Sequence, residues 1–202
     1  MHDYGSYYWQ NEKVRLRLPE PKDYEYSYTN NLDSEAMKLV CEEIILPPTK
    51  KAIIGSDSDE PDLSAPAFSI ENLQGEYVGH IHFNYINERH GTFSIGVVIL
   101  KKHRGNGYGK AAMMILLDYA FNERRLNKFT GHCLDDNVVS SKIMLSLGCK
   151  QEGTIREEYF ATESITTGSY SASLSQNTGT SVTKSIFYSQ SEYCFMHRTL
   201  RR

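Results

Sequence analysis

Alternating apolar and polar positions divide the chain of 202 residues into short strands and helices. Val14, Leu16 and Leu18 alternate with arginines, which predicts a half-buried first strand. Further strands are predicted at 67–72, 77–85, 92–100, 128–134, 155–160 and 193–200. Helices are predicted from Pro21 to about 31, at 35–41, at 110–122 and from 137 to 147. This order, β-α-α-β-β-β-α-β-α-β-β, predicts an α/β (α+β) fold with one mixed, mostly antiparallel central sheet flanked by helices.

Local signals refine several of these elements. Asp33 or Ser34 is expected to cap the helix at 35–41, and Asn137 to cap the last helix. Gly148 follows that helix, where a glycine favours a left-handed end. The strand at 77–85 is predicted to alternate between two faces, one with Ile81, Phe83 and Tyr85 and the other with His80, His82 and Asn84.

Two polar segments interrupt the pattern. The acidic, Pro- and Ser-rich stretch at 56–66 predicts an exposed, mobile loop. In the Ser/Thr-rich stretch at 161–190, Tyr170, Ala172 and Leu174 alternate with serines, and a turn sequence at 176–179 precedes further apolar residues at even positions. We favour a protruding β-hairpin over a flexible loop there. The chain is then a single domain, 1–202, with an inserted hairpin that needs support from the body of the protein or from a second subunit.

Composition narrows the class of protein. Apolar residues make up 40% and charged residues 23% of the chain, as in ordinary globular proteins. The net charge of −3 argues against a partner that is a nucleic acid. The four cysteines show no metal-binding spacing, which predicts reduced thiols, no metal site and a cytoplasmic protein. Neither a membrane-spanning run nor a signal peptide is apparent, so no membrane partner is expected.

The stretch at 97–110, VVILKKHRGNGYGK, carries the clearest chemical signal. An apolar run is followed by a basic cluster, three alternate glycines and an amphipathic helix. Glycines allow backbone N–H groups to approach an anion, and a helix N-terminus offers free donors and a positive dipole end. The spacing is G-x-G-x-G, which differs from the Rossmann fingerprint, and Lys110 is followed by alanine, which differs from a Walker loop.

This loop resembles the R-x-x-G-x-G/A pyrophosphate loop of the GNAT superfamily of acyl-CoA N-acyltransferases. The segment from Asn137 to Ser140, the run LGCKQEG at 147–153, Arg156 with two glutamates, and VRLRLPEPKD near the start all resemble the RimJ/RimL-like branch. The similarity covers most of the chain except 41–66 and 161–190. In ordered combination these four motifs are more specific than the loop alone, for which a plain glycine turn is the competing interpretation.

The resemblance implies a GNAT fold with acetyl-CoA as donor and coenzyme A as product. The strand before the glycine loop would carry a bulge and splay from the strand after the long helix, leaving a V-shaped cleft for the pantetheine arm. The positions that match the family's cofactor-binding residues are Val97, Val98, Ile99, Arg104, Gly105, Asn106, Gly107, Tyr108, Gly109, Lys110 and Asn137.

Transfer to an amine needs stabilisation of a developing oxyanion, a base for the amine and an acid for the leaving thiolate. A backbone N–H near Val98 suits the first role. The tyrosine that many family members use as the acid is replaced by Met144. Ser140 lies one turn earlier and is our candidate acid, although a serine near a helix start also caps backbone donors.

For the base, the resemblance favours Glu158, against the simpler interpretation that this acid is solvated on the surface. His80 and His82 share a strand face that would line the cleft, and a histidine has a suitable pKa. A structural role is the alternative interpretation for each histidine.

The leading hypothesis is an acetyl-CoA-dependent N-acetyltransferase that acts on a primary amine of a protein N-terminus, a small molecule or an amino-sugar antibiotic. A non-catalytic acyl-CoA sensor with the same fold and a nucleotide-binding protein are the alternatives. The insertion at 161–190 is expected to wall the acceptor site or to cross a homodimer interface, and not to be needed for coenzyme A binding.

Overall fold

The protein is built on a seven-stranded sheet, seen in a computed structural model that describes residues 6–39, 47, 49, 50, 64–156 and 169–175. The strands are β1 (Val14–Arg17), β2 (Ala67–Asn72), β3 (Tyr77–Asn87), β4 (Thr92–Ile99), β5 (Lys128–Leu134), β6 (Lys150–Ile155) and β7 (Ser169–Ser175). Their spatial order is β1-β2-β3-β4-β5-β7-β6, and every neighbouring pair is antiparallel except β4 and β5. The predicted mixed, mostly antiparallel sheet is thus confirmed.

Four helices accompany the sheet in the described residues: α1 (Asp23–Asn31), α2 (Ser34–Met37), α3 (Tyr108–Asp118) and α4 (Val138–Ser146). A 3-10 turn at Lys101–His103 precedes α3, and a π-helical turn at Tyr119–Glu123 extends it. The helix expected at 35–41 begins one residue earlier and ends at Met37, and the last two residues of that range lie outside the described part.

Two of these helices begin at the predicted caps. The Asp33 carboxylate accepts a hydrogen bond from the Ala36 N–H, and the Asn137 side chain accepts one from the Ser140 N–H. Gly148 follows α4 with φ +88°, a left-handed conformation that glycine adopts without strain. Local sequence therefore determined where α2 and α4 start and where α4 ends.

Helix α3 covers one face of the sheet and forms the core with it. Ala111 and Ala112 are almost completely buried, and their small side chains allow the helix to pack close to the strands. The bulkiest fully buried side chains of the described residues are Phe93, Phe121, Phe129, Leu16, Ile70, Ile81, Leu116, Leu126 and Leu147. Because this core spans β1 to β5, it fixes the relative positions of the strands that border the cleft.

The C-terminal strands differ from the prediction. The strand expected at 155–160 lies earlier, at Lys150–Ile155, and 157–160, 182–188 and 193–200 fall outside the described residues. The alternation around Ala172 does mark a strand, β7, but β7 pairs with β5 on one edge and β6 on the other. The predicted self-paired hairpin is therefore wrong, because neither edge of β7 remains for a strand at 182–188.

Strand β7, which lies in the Ser/Thr-rich stretch at 161–190, contributes buried residues to the core. Ala172 is fully buried and Leu174 is 8% exposed, so small apolar residues between serines contribute to the core. Replacing the segment by a short turn would remove a strand from the interior of the sheet. The expectation that 161–190 is dispensable for cofactor binding loses its structural basis, since β5 borders the cleft.

The bulge expected on the strand before the glycine loop lies on the neighbouring strand instead. Phe83 pairs with Ile95 and Tyr85 with Ser94, so Asn84 is the extra residue in β3. Because of this extra residue, and contrary to the prediction from the sequence, Tyr85 no longer shares a face of β3 with Ile81 and Phe83. Tyr85 is 54% exposed.

In the segment at 56–66, residues 56–63 lie outside the described part of the chain, and Pro66 is buried rather than in an exposed loop.

Candidate active site

A cleft opens where β4 and β5 separate. The two parallel strands pair at Thr92 with Lys128 and at Phe93 with Phe129, and no further pairs follow towards their C-terminal ends. Beyond that point the β5-facing edge of β4 is free of strand hydrogen bonds while its other edge pairs with β3. The predicted V-shaped opening is thus present in the described residues.

The glycine loop lies at the end of β4. Gly105 and Gly107 have φ of +82° and +79°, left-handed conformations that favour glycine. Gly107 is the N-cap of α3, and no side chain caps this helix. The first N–H groups of α3 therefore remain available to an anion, and the positive end of the helix dipole points at it.

Side chains around the loop hold its shape. Arg104 donates from Nε to the Ile99 carbonyl at 3.0 Å and from Nη2 to Asp33 Oδ2 at 3.2 Å. Asn106 donates to the His103 carbonyl at 3.0 Å. The Ala36 N–H, Lys101 and Arg104 hold the pKa of the Asp33 carboxyl below its usual value. The arginine of the motif is thus partly neutralised by a carboxylate at the start of α2.

Two lysines tie the loop to other parts of the molecule. Lys110 Nζ donates to the Ser146 carbonyl at 3.2 Å, which links the start of α3 to the end of α4. Lys13 Nζ lies 3.4 Å from the Asn106 carbonyl oxygen and would be 3.1 Å from a Cβ placed on Gly107. Lys13 was not predicted as part of this site, because contact with a loop more than ninety residues away leaves no local signal in the sequence.

The cleft encloses a cavity of about 280 Å³. Val97 and Val98 of β4 and Asn137 and Ser140 at the start of α4 share its lining, as predicted. Ile99 does not line it and packs towards α3, close to Gly109. Glu158 lies outside the described residues. The described lining residues are Leu39, His82, Asn84, Ile95, Gly96, Val97, Val98, Met113, Phe129, Gly131, His132, Cys133, Leu134, Asn137, Ser140, Ile143 and Met144.

On the side of the cleft formed by α4, Asn137 and Ser140 have different hydrogen bonds. Asn137 is 8% exposed, and while its Oδ1 caps α4, its Nδ2 donates to the Leu39 carbonyl at 3.2 Å. The hydroxyls of Ser141 and Ser146 donate to helix carbonyls. No hydrogen bond engages the Ser140 hydroxyl among the described residues, so this group does not act as the cap.

Met144 occupies the position of the expected tyrosine and is 4% exposed. A Cβ on Gly131 of β5 would lie 2.3 Å from the Met144 sulfur. The thioether therefore packs directly on the β5 backbone, and a side chain at position 131 would force Met144 to move.

The β3 wall carries the two histidines. Their rings stack with centroids 5.9 Å apart, but of the two only His82 lines the cavity. Burial lowers the pKa of His80 to about 4, and burial also lowers that of His82. The prediction that His80 and His82 lie on the same face of β3 is confirmed, but His82 alone of the two contacts the cavity.

Within the described part of the chain, no group of three or more His, Cys, Asp or Glu side chains is arranged to hold a metal ion. Among those same residues, no helix has the length and apolar character needed to cross a membrane.

Comparison with known proteins agrees with this architecture. Residues 13–150 match the model of the acetyltransferase (GNAT) domain. An uncharacterised N-acetyltransferase of Bacillus subtilis is 27% identical over 149 residues, which are 72% of this chain and 84% of that protein. The ribosomal-protein-serine acetyltransferase of Escherichia coli is 29% identical over 87 residues, 43% of this chain and 49% of the relative.

A spermidine N-acetyltransferase from Vibrio cholerae, solved in complex with CoA and spermine, superposes with a TM-score of 0.69 at 21% identity, covering 82% of this chain and 97% of that one. At this identity the likeness concerns the fold. The domain match spans about two thirds of the chain and includes the glycine loop and both walls of the cleft. The chain belongs to the GNAT family of acetyltransferases and is an acyltransferase whose donor is acetyl-CoA.

Proposed function

We propose that the protein is a RimJ/RimL-like N-acetyltransferase that moves the acetyl group of acetyl-CoA to a primary amine, either a protein N-terminus or a small amine. The observation that carries this proposal is the cleft between β4 and β5, which leads from a glycine loop without a side-chain cap to the hydroxyl of Ser140. The described lining is mostly apolar, which suits direct attack by an uncharged amine.

The residues of this chain fit the donor. The left-handed Gly105 and Gly107 leave space for a pyrophosphate close to backbone N–H groups. The free edge of β4 can hydrogen-bond a pantetheine arm as a neighbouring strand would. In this proposal the binding residues are those expected from the sequence: Val97, Val98, Ile99, Arg104, Gly105, Asn106, Gly107, Tyr108, Gly109, Lys110 and Asn137.

The donor supplies an activated thioester carbonyl. A backbone N–H near Val98 stabilises the negative charge that develops on the carbonyl oxygen. Ser140 donates a proton to the departing sulfur, and its place in the cavity lining supports this role. Glu158, which the family resemblance favours as the base, lies outside the described residues, so no observed contact supports that role.

The test is amine-dependent release of the coenzyme A thiol from acetyl-CoA. The panel contains a peptide with an N-terminal serine, an amino-acid amide, spermidine and an amino-sugar antibiotic. Turnover with at least one amine is expected. The buried Met144 at the usual acid position keeps the sensor alternative open, and tight binding of acetyl-CoA without turnover of any amine would favour it.

A further inference from the structure

The β3 wall holds a titratable side chain at the point where the cleft begins. His82 pairs across the strands with Gly96 of β4, just beyond the last residues that join β4 to β5. A Cβ on Gly96 would lie 2.7 Å from both Cε1 and Nε2 of the His82 ring. The ring therefore lies against the β4 backbone in space that a side chain at position 96 would occupy.

The bulge in β3 supplies a partner for this ring. Asn84 is the extra residue, and its Oδ1 would lie 2.8 Å from the same Cβ position on Gly96. Burial lowers the pKa of His82, and a hydrogen bond with Asn84 opposes that shift. The ring is thus uncharged at neutral pH, and an uncharged imidazole has one ring nitrogen that can accept a proton.

Among the described residues, few other groups near His82 could accept a proton. His80 stacks on His82 from the same strand, and His132 and Cys133 line the cavity from β5. The described lining from β4, α3 and α4 contributes no carboxylate and no lysine or arginine. Ser140 faces the same cavity from α4, so a proton acceptor and a proton donor occupy different walls of one cleft.

We propose that His82, in place of Glu158, is the catalytic residue that accepts the proton of the incoming amine, an inference that deepens and rests on the proposed function. His82 takes one proton from the ammonium nitrogen and later releases it to solvent. The freed lone pair forms the C–N bond with the acetyl carbon as the C–S bond breaks. The nitrogen loses a second proton as the amide forms. Ser140 donates its own proton to the sulfur and is restored by this second proton, so the products are the amide, the coenzyme A thiol and one proton in solvent.

The test compares His82→Gln with His80→Gln, the stacked neighbour that does not line the cavity. Loss of general base catalysis is expected to lower kcat/KM of the His82 variant about 100-fold or more. Calorimetry is expected to give coenzyme A dissociation constants within about twofold of the parent for both variants, because neither residue lies in the glycine loop that is proposed to bind the pyrophosphate. The His80 variant is expected to retain kcat/KM within about threefold.

The pH profile supplies a readout that a structural role would not change. The acid limb of kcat/KM in the parent reports the pKa of His82, and the rate falls as the ring becomes protonated. In the His82 variant this limb should move to higher pH, where the amine loses its proton unaided. Added imidazole should partly restore turnover of a folded His82→Ala variant, verified by its coenzyme A binding.

Retention of parental turnover and pH profile in His82→Gln would overturn the assignment while leaving the acetyltransferase function intact. Equal losses in the two histidine variants, together with weaker coenzyme A binding, would also overturn it, because they indicate a structural pair. Absence of turnover by the parent with every amine of the panel would refute the proposed function and this inference together.

Discussion

At the scale of the residue, glycines and small polar side chains determine what the cleft can accommodate. Gly107 and Gly131 act by leaving space, one beside an open loop and the other beneath Met144. Asn137 and Ser140 are three positions apart and take different roles, since the amide caps the helix and the hydroxyl has no hydrogen bond among the described residues. Single substitutions can therefore separate cofactor binding from catalysis.

Gly107→Ala is expected to weaken coenzyme A binding at least tenfold, measured by calorimetry, because a side chain obstructs backbone approach to the pyrophosphate. Gly75→Ala is the matched control. Gly75 has φ +84° in the turn between β2 and β3, with no atom within 4 Å of its Cβ position. Both variants incur a left-handed strain of roughly 1 kcal/mol. Equal coenzyme A affinity in the two variants would place the phosphate site elsewhere.

Ser140→Ala is expected to lower kcat about tenfold or more while coenzyme A affinity stays within twofold, because the hydroxyl acts on the transition state. Ser141→Ala provides the control, since that neighbouring hydroxyl donates to the Val138 carbonyl. Steady-state kinetics and calorimetry measure the two effects. Parental kcat in the Ser140 variant would exclude the hydroxyl as the acid.

At the scale of the element, a buried ion network joins β1, β2 and α1. Arg17 binds both oxygens of Asp23, at 2.6 and 2.9 Å, and also pairs with Glu71. Burial raises the pKa of Asp23, but hydrogen bonds from Arg17, the Glu20 N–H and the Ser69 hydroxyl outweigh burial and hold that pKa below its ordinary value. This stabilisation is present above the unfolded pKa and lost as pH falls through the folded one.

Arg17→Met is expected to lower the free energy of unfolding by about 3–5 kcal/mol at pH 7, because it leaves the Asp23 carboxylate buried without its partner. Lys22→Met, which removes an exposed pair with Glu20, should change the free energy of unfolding far less, because solvent screens that pair. Urea unfolding at several pH values measures both. The loss of unfolding free energy in Arg17→Met should become smaller in acid, where Asp23 is protonated. A loss that does not change with pH would contradict this account.

At the scale of the whole molecule, the sheet is continuous from β1 to β4 and from β5 to β6, and the two parts diverge from a short parallel contact. A ligand in the cleft contacts both parts. Binding to the folded state alone stabilises the protein by about 2.7 kcal/mol at roughly 100 times its dissociation constant.

Coenzyme A is therefore expected to raise the melting temperature by roughly 5–10 °C under those conditions. ATP and NAD are expected to change it by less than about 1 °C, because the loop lacks both nucleotide fingerprints. Differential scanning fluorimetry compares the three ligands at equal concentration. A larger shift with ATP or NAD would support the nucleotide-binding alternative.

Many elements of the fold could be predicted from the sequence because they depend on interactions between residues that are close together in the chain. Apolar alternation located β1 to β5, and the caps at Asp33, Asn137 and Gly148 followed from side chains that bond to neighbouring backbone groups. The three glycines indicated an anion site because their conformational freedom is a property of the residue itself. The order of these elements, with the motifs, was sufficient to predict the family.

Tertiary structure decided the features that depend on pairing between distant segments. The serine-rich alternation around Ala172 predicted a strand, but its position between β5 and β6 depends on which edges are available. The bulge at Asn84 is defined by its register against β4, and so is the placement of His82 over Gly96. Since a sequence pattern sets the faces of a strand and not its partners, the walls of the cleft became apparent only in the folded molecule.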